Sequence, residues 1–398
     1  MKSRGYHDYF HSGDRAVKNQ RLRVVVKIGS SSITEHNGQL STAKLASFID
    51  QMAELYTQEN VQIIIVSSGA VALGMARLGW RRKESTMPEK QGAAAVGQGM
   101  LIHAYQQLFE KKGMDIAQLL LTKADIEDRK RFVNIRNTME TLLHYGVIPI
   151  INENDTVAVE EIRFGDNDTL SSFVAMVADA DMLVLLTDVD GLYTVNPRID
   201  STANKLDEVW EIDHTIEQMA GDQGSERGTG GMRTKITAAN IATSSGIDVI
   251  LASSEVNDVL LHIVHKEKVG TWFHARSGEL TAKKSWMMFG TRIEGQLVID
   301  QGATNALLRG NGSLLLPGIL AVQGEFQEGA IVQIESDNGA EIGKGMCNFS
   351  AWDLRLLIDR SHHGESMRHM QAAVHRNQLV LMTKGNGGDP DYRSEGLH

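Results

Sequence analysis

Two polar segments of the chain combine a lysine with glycine and hydroxyl side chains, a composition that suits phosphate groups. The first, residues 27–32, begins with Lys27 at the end of an apolar run. The second, residues 228–235, ends with Lys235 and opens a helical pattern. Neither has the spacing of a Walker A loop, and no G-x-G-x-x-G fingerprint occurs in the chain. Taken alone, the first segment is also consistent with a surface lysine beside a turn, and the second, less well, with a glycine-rich linker.

Two further apolar runs also end in small polar residues. Residues 67–70, Ser-Ser-Gly-Ala, lead directly into a helical pattern, whose first N–H groups form a site for an anion. Simple N-capping by one of the serines explains the same residues. Thr187 and Asp188 end another apolar run and could bind a nucleotide. The Asp-Gly pair that follows could equally mark a turn.

Two clusters of carboxylate and amide side chains stand out for their density. One is residues 152–155 (NEND), and the other is residues 165–168 (GDND). Such clusters could bind an ammonium group, a magnesium ion or cationic side chains. The alternative is a pair of Asx-rich turns, but the clusters are denser than routine turns, so we favour a ligand site.

Six short apolar runs, rich in Leu and β-branched residues, predict strands that are buried on both faces of a sheet. They span residues 22–28, 61–66, 116–121, 147–151, 182–186 and 247–251. Helical patterns occupy residues 42–58, 89–111, 131–145, 169–178 and 232–245. This alternation predicts an α/β fold with an open, mostly parallel sheet between helices. Ligands of such sheets bind beyond the carboxyl ends of the strands, where the polar segments lie.

A chain of 398 residues is long for one core, and its pattern changes near residues 271–286 to short β-like pieces separated by glycines. We therefore predict a second, small β-barrel domain. The predicted divisions are an N-terminal extension or leader (1–20), a larger domain (21–275), a linker (276–295), the β domain (296–376) and a C-terminal tail (377–398).

Composition narrows the possible functions. The formal net charge of −10 gives no reason to expect nucleic acid or an anionic membrane as the main partner. The single cysteine, Cys347, excludes an internal disulfide framework and a Cys-rich zinc site, which fits a reducing cytoplasm. No apolar stretch reaches the roughly 18 residues of a membrane span, and residues 1–20 lack the apolar core of a secretory signal. We expect a cytoplasmic protein without a resident metal.

Five segments occur in a fixed order: VVVKIGSSS, VSSGAVALG, INENDTVAVEEIRFGDNDTLSSFVA, LLTDVDGLYTVNPR and GTGGMRTKITAA. Together they resemble the amino-acid kinase family, and most of all its members that phosphorylate glutamate in the first step of proline biosynthesis. The resemblance covers residues 22–376, and residues 296–376 resemble a PUA domain. It implies the amino-acid kinase fold, a PUA-like β-barrel, and transfer of a phosphoryl group from Mg-ATP to the γ-carboxylate of L-glutamate.

The resemblance also implies roles for individual residues. Lys27 and Lys235 would contact the transferring phosphoryl group, and Asp168 would hold both lysines in position. The residues implied in glutamate binding are Ser68, Asp155 and Asn167. Those implied in ATP binding are Lys27, Thr187, Asp188, Thr229, Gly230, Gly231, Met232, Arg233, Thr234 and Lys235. Arg233 replaces a residue that is often smaller in the family, which could alter nucleotide affinity.

Partners follow from the same resemblance. It implies a functional link to glutamyl phosphate reductase, feedback inhibition by proline, and a homo-oligomer. Residues 286–376 carry seven Lys and Arg against ten Asp and Glu, so RNA binding is unsupported. The alternatives are a related kinase for another small acid or carbamate, an RNA-binding protein with an inactive kinase-like domain, and a regulatory amino-acid sensor. The acid–amide clusters favour glutamate, and the retained lysines argue against an inactive domain.

Overall fold

The computed structural model describes residues 21–35, 37–80, 85–158, 164, 166–197, 200, 202–221, 231–276, 282–309, 312–362 and 371–382. These residues form a large sheet with helices on both faces, followed by a smaller sheet with two helices. None of the helices within these ranges is both long and apolar enough to cross a bilayer. The predicted extension, residues 1–20, and the last part of the predicted tail, residues 383–398, lie outside the described residues.

The larger sheet has eight strands in the order β3-β4-β2-β1-β5-β9-β10-β8, and β6 and β7 pair separately. In chain order the strands are β1 (Arg23–Ile28), β2 (Gln62–Ser67), β3 (Ile116–Leu121), β4 (Ile148–Glu153), β5 (Met182–Thr187), β6 (Leu192–Tyr193), β7 (Lys205–Leu206), β8 (Glu208–Val209), β9 (Asp248–Ser253) and β10 (Thr271–Phe273). Strands β1–β5 and β9 run parallel, whereas β10 is antiparallel to β9. All six predicted strands are confirmed with small shifts at their ends, and the others are too short to give an apolar run.

Helices lie between these strands and after the last of them. They are α1 (Ser30–Ile33), α2 (Thr42–Gln58), α3 (Ala70–Leu78), α4 (Met87–Glu110), α5 (Lys123–Glu127), α6 (Arg129–His144), α7 (Asn167–Val177), α8 (His214–Gly221), α9 (Met232–Ser244), α10 (Val259–Val264) and α11 (Ala282–Phe289). The five predicted helices are confirmed, with differences at their ends.

Helix α4 begins two residues earlier than the pattern predicted. It starts at Met87, where Thr86 and Glu89 form a capping box in which each side chain accepts from the backbone of the other. Pro88 lies in the first turn, where its missing N–H is harmless. The apolar periodicity starts later than the cap, which explains the predicted start at residue 89.

Side chains of the parallel strands pack alternately into two cores, one on each face of the sheet. Val25 belongs to the core under α6, α7 and α9, whereas Val24 and Val26 belong to the core under α2, α4 and α10. Burial on both faces explains why these strands appear in the sequence as unbroken apolar runs.

Helices α3 and α4 cross unusually closely because each contributes a glycine to the contact. A Cβ on Gly97 would lie 1.8 Å from the carbonyl oxygen of Ala70, and one on Gly74 would lie 1.8 Å from that of Ala93. Since Ala70 is the first residue of α3, this crossing determines where the N-terminus of α3 lies relative to the sheet.

The C-terminal sheet has the order β12-β11-β13-β14-β15. Its elements are β11 (Gly295–Ile299), α12 (Gln301–Leu308), β12 (Ile319–Gln323), β13 (Ile331–Ser336), β14 (Glu341–Cys347), α13 (Ala351–His362) and β15 (Val374–Leu381). Neighbouring strands are antiparallel except β11 and β13. An isolated bridge between Leu314 and Val374 links the segment before β12 to the far edge, so the sheet curls towards a barrel.

The structure adds two details to the predicted β domain. Strand β15 continues to Leu381, past the predicted domain end at residue 376, because its last apolar residues still pack against the small core. The predicted β domain also contains helices α12 and α13, which the sequence pattern did not indicate.

The segment predicted as a linker contains α11, which joins the two domains. Trp286 is buried, and its Nε1 donates to the carbonyl of Ile126 at 2.7 Å. Trp286 and Met287 share one apolar cluster with Met346 and Val380 of the C-terminal sheet. The domains therefore meet through a packed apolar contact at this helix.

The α3–α4 crossing can be tested with two glycines of one helix. We expect Gly97→Ala to lower the free energy of unfolding by about 1–3 kcal/mol, because its methyl group collides with backbone. Gly99→Ala is the matched control: it meets nothing within 4 Å and should be neutral or stabilise by up to about 1 kcal/mol. Urea unfolding measures both, and equal effects would contradict the close crossing.

Candidate active site

The carboxyl ends of the central strands meet at one edge of the sheet. Ile28, the last residue of β1, pairs with Ser67 at the end of β2 and with Leu186 near the end of β5. The polar segments that leave these strands therefore start at the same level. This is the edge at which parallel α/β sheets bind ligands.

A buried ion cluster lies at this edge, formed by Lys27 of β1, Asp168 of α7 and Lys235 of α9, and we call it the lysine–aspartate cluster. Lys27 Nζ lies 2.6 Å from Asp168 Oδ1, and Lys235 Nζ lies 3.1 Å from Asp168 Oδ2. The Thr234 hydroxyl donates to the same Oδ2 at 2.9 Å. The exposed fractions of Lys27, Asp168 and Lys235 are 7%, 1% and 6%. The predicted meeting of the three charged residues is thus present in the structure.

The charge balance of this cluster favours an anion. Burial by itself raises the pKa of Asp168, but the charges of Lys27 and Lys235 and their hydrogen bonds outweigh burial and hold that pKa well below its usual range. The carboxylate is therefore ionised at neutral pH. With both lysines protonated, the cluster carries one net positive charge in surroundings where water screens little.

A network of amide groups lies beside this cluster. Asn167 Nδ2 lies within donating distance of the Ser67 carbonyl at 2.7 Å, Ser68 Oγ at 2.7 Å and Asn152 Oδ1 at 2.9 Å. Asn152 Nδ2 in turn donates to Gln98 Oε1 at 2.8 Å. Because the Ser67 carbonyl can only accept, the amide of Asn167 has one orientation. Its Oδ1 can then accept from a ligand, and the Ser68 hydroxyl proton can be donated to one.

A cavity of about 230 Å³ opens next to this network. At roughly 30 Å³ per water molecule, it has room for an amino-acid-sized ligand. Ser68, Asp155 and Asn167, the three residues predicted to bind glutamate, all line it. Lys90 of α4 also lines it.

Two carboxylates of the cavity wall hold the segment that leads into α7. Asp166 caps α7 by accepting from the Thr169 backbone at 2.7 Å and from its hydroxyl at 3.1 Å. Burial, with a contribution from the nearby Asp168 charge, raises the pKa of Asp166. Glu153 accepts from the backbone N–H of Phe164 at 2.7 Å. The wall of the cavity and the start of α7 are thus built from the same contacts.

The predicted nucleotide residues lie on the other side of the lysine–aspartate cluster. Thr187 ends β5, and its hydroxyl donates to Asp188 Oδ1 at 3.1 Å. Gly231 caps α9, and its carbonyl oxygen lies 2.8 Å from the Thr234 hydroxyl oxygen, as an alternative to Asp168 Oδ2 for the single hydroxyl proton. These residues border the open edge of the sheet beside β1.

The remaining residues of the predicted ATP set differ in their surroundings. The side chain of Met232 packs into the core. Arg233 is exposed on α9. Thr229 and Gly230 lie outside the described residues.

The described residues offer few ligands for a resident metal ion. Within the described ranges, no group of three or more His, Cys, Asp or Glu side chains could hold a metal ion. Both oxygens of Asp168 are engaged by lysines. Mg²⁺ bound to nucleotide phosphates needs few protein ligands, so the described residues are compatible with a magnesium ion that enters with a nucleotide.

Three residues of the site were not singled out from the sequence. Asn152 belongs to a predicted cluster, but its contact with Asn167 was not predicted. Gln98 and Lys90 lie on α4, which the sequence presented only as a helix. The one available signal was their place in the segment KQGAAAVGQGML, which matches the glutamate-phosphorylating members of the family.

Fold and site together are those of a small-molecule kinase. Residues 22–253 match the amino acid kinase family, and the chain belongs to that family. Residues 295–370 match the PUA domain. The chain is 47% identical to the glutamate 5-kinase of Carboxydothermus hydrogenoformans, over 92% of this chain and 99% of that protein. It is 45% identical to glutamate 5-kinase 2 of Bacillus subtilis, over 84% of this chain and 90% of that protein.

A solved structure overlaps the chain more loosely. The UMP kinase from Bacillus anthracis covers 65% of this chain and 98% of its own length, with a TM-score of 0.45 and 14% identity.

The lysine–aspartate cluster makes a prediction for stability. Asp168→Asn leaves two buried lysines without their carboxylate, and we expect a loss of about 3–5 kcal/mol in the free energy of unfolding. The triple variant Lys27→Met, Asp168→Asn, Lys235→Met removes all three charges and should recover much of that loss. A triple variant as unstable as Asp168→Asn would contradict this account. Urea unfolding at neutral pH compares the variants.

The wild-type protein and Asp168→Asn should respond differently to acid. Because folding lowers the pKa of Asp168, its stabilising effect is present above the unfolded-state pKa of about 3.9 and is lost as pH falls through the folded-state pKa. We therefore expect the stability difference between wild type and Asp168→Asn to be constant near neutral pH and to shrink below about pH 4. A difference that stayed constant into strong acid would contradict the linkage.

Proposed function

We propose that this protein catalyses the ATP-dependent phosphorylation of the γ-carboxylate of L-glutamate to L-glutamyl 5-phosphate, the first step of proline biosynthesis. The observation that carries the proposal is the buried lysine–aspartate cluster next to an acid–amide cavity. Identity of 39–47% to curated glutamate 5-kinases over 92% of the chain supports the same reaction.

The chemistry requires positioning and charge rather than a base. A glutamate γ-carboxylate has a reference pKa near 4.3 and is already ionised at neutral pH. The barrier is the repulsion between this anion and the γ-phosphate of ATP. Two lysines with one net positive charge reduce that repulsion, and phosphoryl transfer depends mainly on such electrostatic stabilisation.

Each member of the cluster has a separate part in this proposal. Lys27 and Lys235 contact the transferring phosphoryl group, while Asp168 holds both ammonium groups in place and accepts no proton. The nucleotide is bound by Thr187, Asp188 and the segment 229–235. ATP enters with Mg²⁺ as one substrate, and the ion supplies further positive charge to its phosphates.

Glutamate is placed by the cavity. Its ammonium group meets the carboxylate of Asp155 and the Oδ1 of Asn167, and the Ser68 hydroxyl donates to a carboxylate oxygen. Asn167 is adjacent to Asp168 in the first turn of α7, so the amino-acid site and the phosphoryl site are held together.

The proposed cellular context follows from the product. An acyl phosphate hydrolyses readily, so a glutamyl phosphate reductase that consumes it is a functional partner. We further propose feedback inhibition by proline, self-association into a homo-oligomer, and action in the cytoplasm. The net negative charge of the PUA region gives no support for RNA as a ligand.

The experiment that tests the reaction measures ADP release from Mg-ATP and L-glutamate, with hydroxylamine present to trap the acyl phosphate as a hydroxamate. We expect hydroxamate with glutamate, and none with aspartate or N-acetylglutamate. Turnover with another acid but not with glutamate would overturn the substrate. Binding of an amino acid without turnover of any acid would favour a regulatory sensor instead.

The division of roles predicts distinct kinetic changes. Lys235→Ala should mainly lower kcat, by about 10²–10³-fold, because the lysine stabilises charge that moves to the leaving oxygen. Asp155→Ala and Asn167→Ala should mainly raise KM for glutamate. Thr237→Ala, an exposed position one turn after Arg233 on α9, is the control and should leave both parameters unchanged. The reverse pattern, with KM changed by Lys235→Ala and kcat by the others, would contradict these roles.

A further inference from the structure

The cavity wall contains a lysine, Lys90, to which the proposed mechanism assigns no role. Among its described lining residues, Glu153, Asp155 and Asp166 are acidic, and Lys90 is the one basic residue. Lys90 is half-buried, in the second turn of α4. Among the ion pairs between described residues, none includes Lys90.

The backbone that carries Lys90 is firmly placed. The capping box of Thr86 and Glu89 secures the first turn of α4. One residue further along, Gln91 Nε2 donates to the carbonyl of Ala158 at 3.2 Å, which ties α4 to the loop that carries Asp155. Lys90 and Asp155 therefore lie on two segments that are fastened to each other at the cavity.

A charge count of the ligand shows what this lysine could bind. Glutamate has one ammonium group and two carboxylates. The acidic wall and Asn167 suit the ammonium group, and the γ-carboxylate must point to the lysine–aspartate cluster. The α-carboxylate then remains, and moving it out of water without a partner is costly. Lys90 is the cation on the cavity wall that can meet it, with three N–H donors.

We infer that Lys90 binds the α-carboxylate of the amino-acid substrate and so selects acids that carry a free α-carboxylate. This rests on the proposed function. The N-terminus of α3, at Gly69 and Ala70, lines the same cavity and adds backbone N–H groups that favour an anion. Lys90 is thus a specificity residue, separate from the lysines that act on the phosphoryl group.

The test pairs a variant with a substrate analogue. The α-amide of L-glutamate keeps the γ-carboxylate and the amino group but has lost the α-carboxylate charge. For wild type we expect kcat/KM to fall about 10- to 100-fold from glutamate to this amide, the range of a hydrogen bond to a charged group. Lys90→Met should lose about the same factor with glutamate, mostly in KM, and should discriminate little between the two substrates.

Three controls make the result specific. Lys111→Met, an exposed lysine at the other end of α4, should keep wild-type discrimination. Lys90→Arg keeps the charge and should retain part of the preference for glutamate. KM for ATP should stay unchanged in all variants. Lys90→Gln provides a second neutral variant if Lys90→Met does not fold.

The outcomes separate this inference from the proposed function. If wild type forms hydroxamate from glutamate but the neutral Lys90 variants keep its preference for glutamate over the amide, the α-carboxylate is bound elsewhere and the inference is wrong. If wild type forms no hydroxamate from glutamate, the proposed function fails and the inference fails with it. The inference is supported if the neutral Lys90 variants lose the preference for glutamate over its α-amide while Lys111→Met keeps it.

Discussion

The site depends on one buried carboxylate, Asp168, which holds two lysines that could not otherwise be buried. Removing two ammonium groups from water costs several kcal/mol each unless a counter-charge compensates. The requirement draws β1, α7 and α9 together, because each contributes one charged residue to the cluster. The same contact leaves the cluster one positive charge in excess. A structural necessity of the fold thus also creates the electrostatic condition for binding a phosphoryl group.

The first turn of α7 connects this cluster to the cavity in which we propose that glutamate binds. Successive side chains of a helix point about 100° apart, so neighbouring residues can serve two sites. Asn167 points to the Ser67 carbonyl, Ser68 and Asn152, whereas Asp168 points to the lysines. The N-terminus of α3 forms another part of the cavity wall. Its position is determined by the close contact of α3 and α4 at their glycines. Small displacements of α3 or α7 would therefore change the distance between the cavity and the lysine–aspartate cluster.

The sequence predicted the parts of the site that follow from strand ends. Lys27 lies near the end of β1, and Ser68 and Asp155 lie just after β2 and β4. Because parallel strands end at one edge of a sheet, the convergence of these residues was foreseeable. Gln98 was not, because it lies in the middle of a helix and meets Asn152 across 54 positions of sequence. A motif alone did not show where the side chain of Met232 points. The motif suggested contact with a nucleotide, but the position of Met232 on the helix directs its side chain into the core. The C-terminal helices were missed because their apolar residues could also be assigned to short strands.

The arrangement of charge also determines how a substrate can lie. Three of the four charged residues described on the cavity wall are acidic, and the neighbouring cluster has a net positive charge, so the ammonium group and the γ-carboxylate of glutamate are attracted to different ends. A reversed substrate would place its γ-carboxylate against the acidic residues of the cavity wall, and such like-charge juxtapositions cost several kcal/mol. A diacid without an amino group would leave the acidic wall facing an anion. Orientation and selectivity therefore arise partly from repulsion, which acts before any close contact forms and needs no movement of the protein.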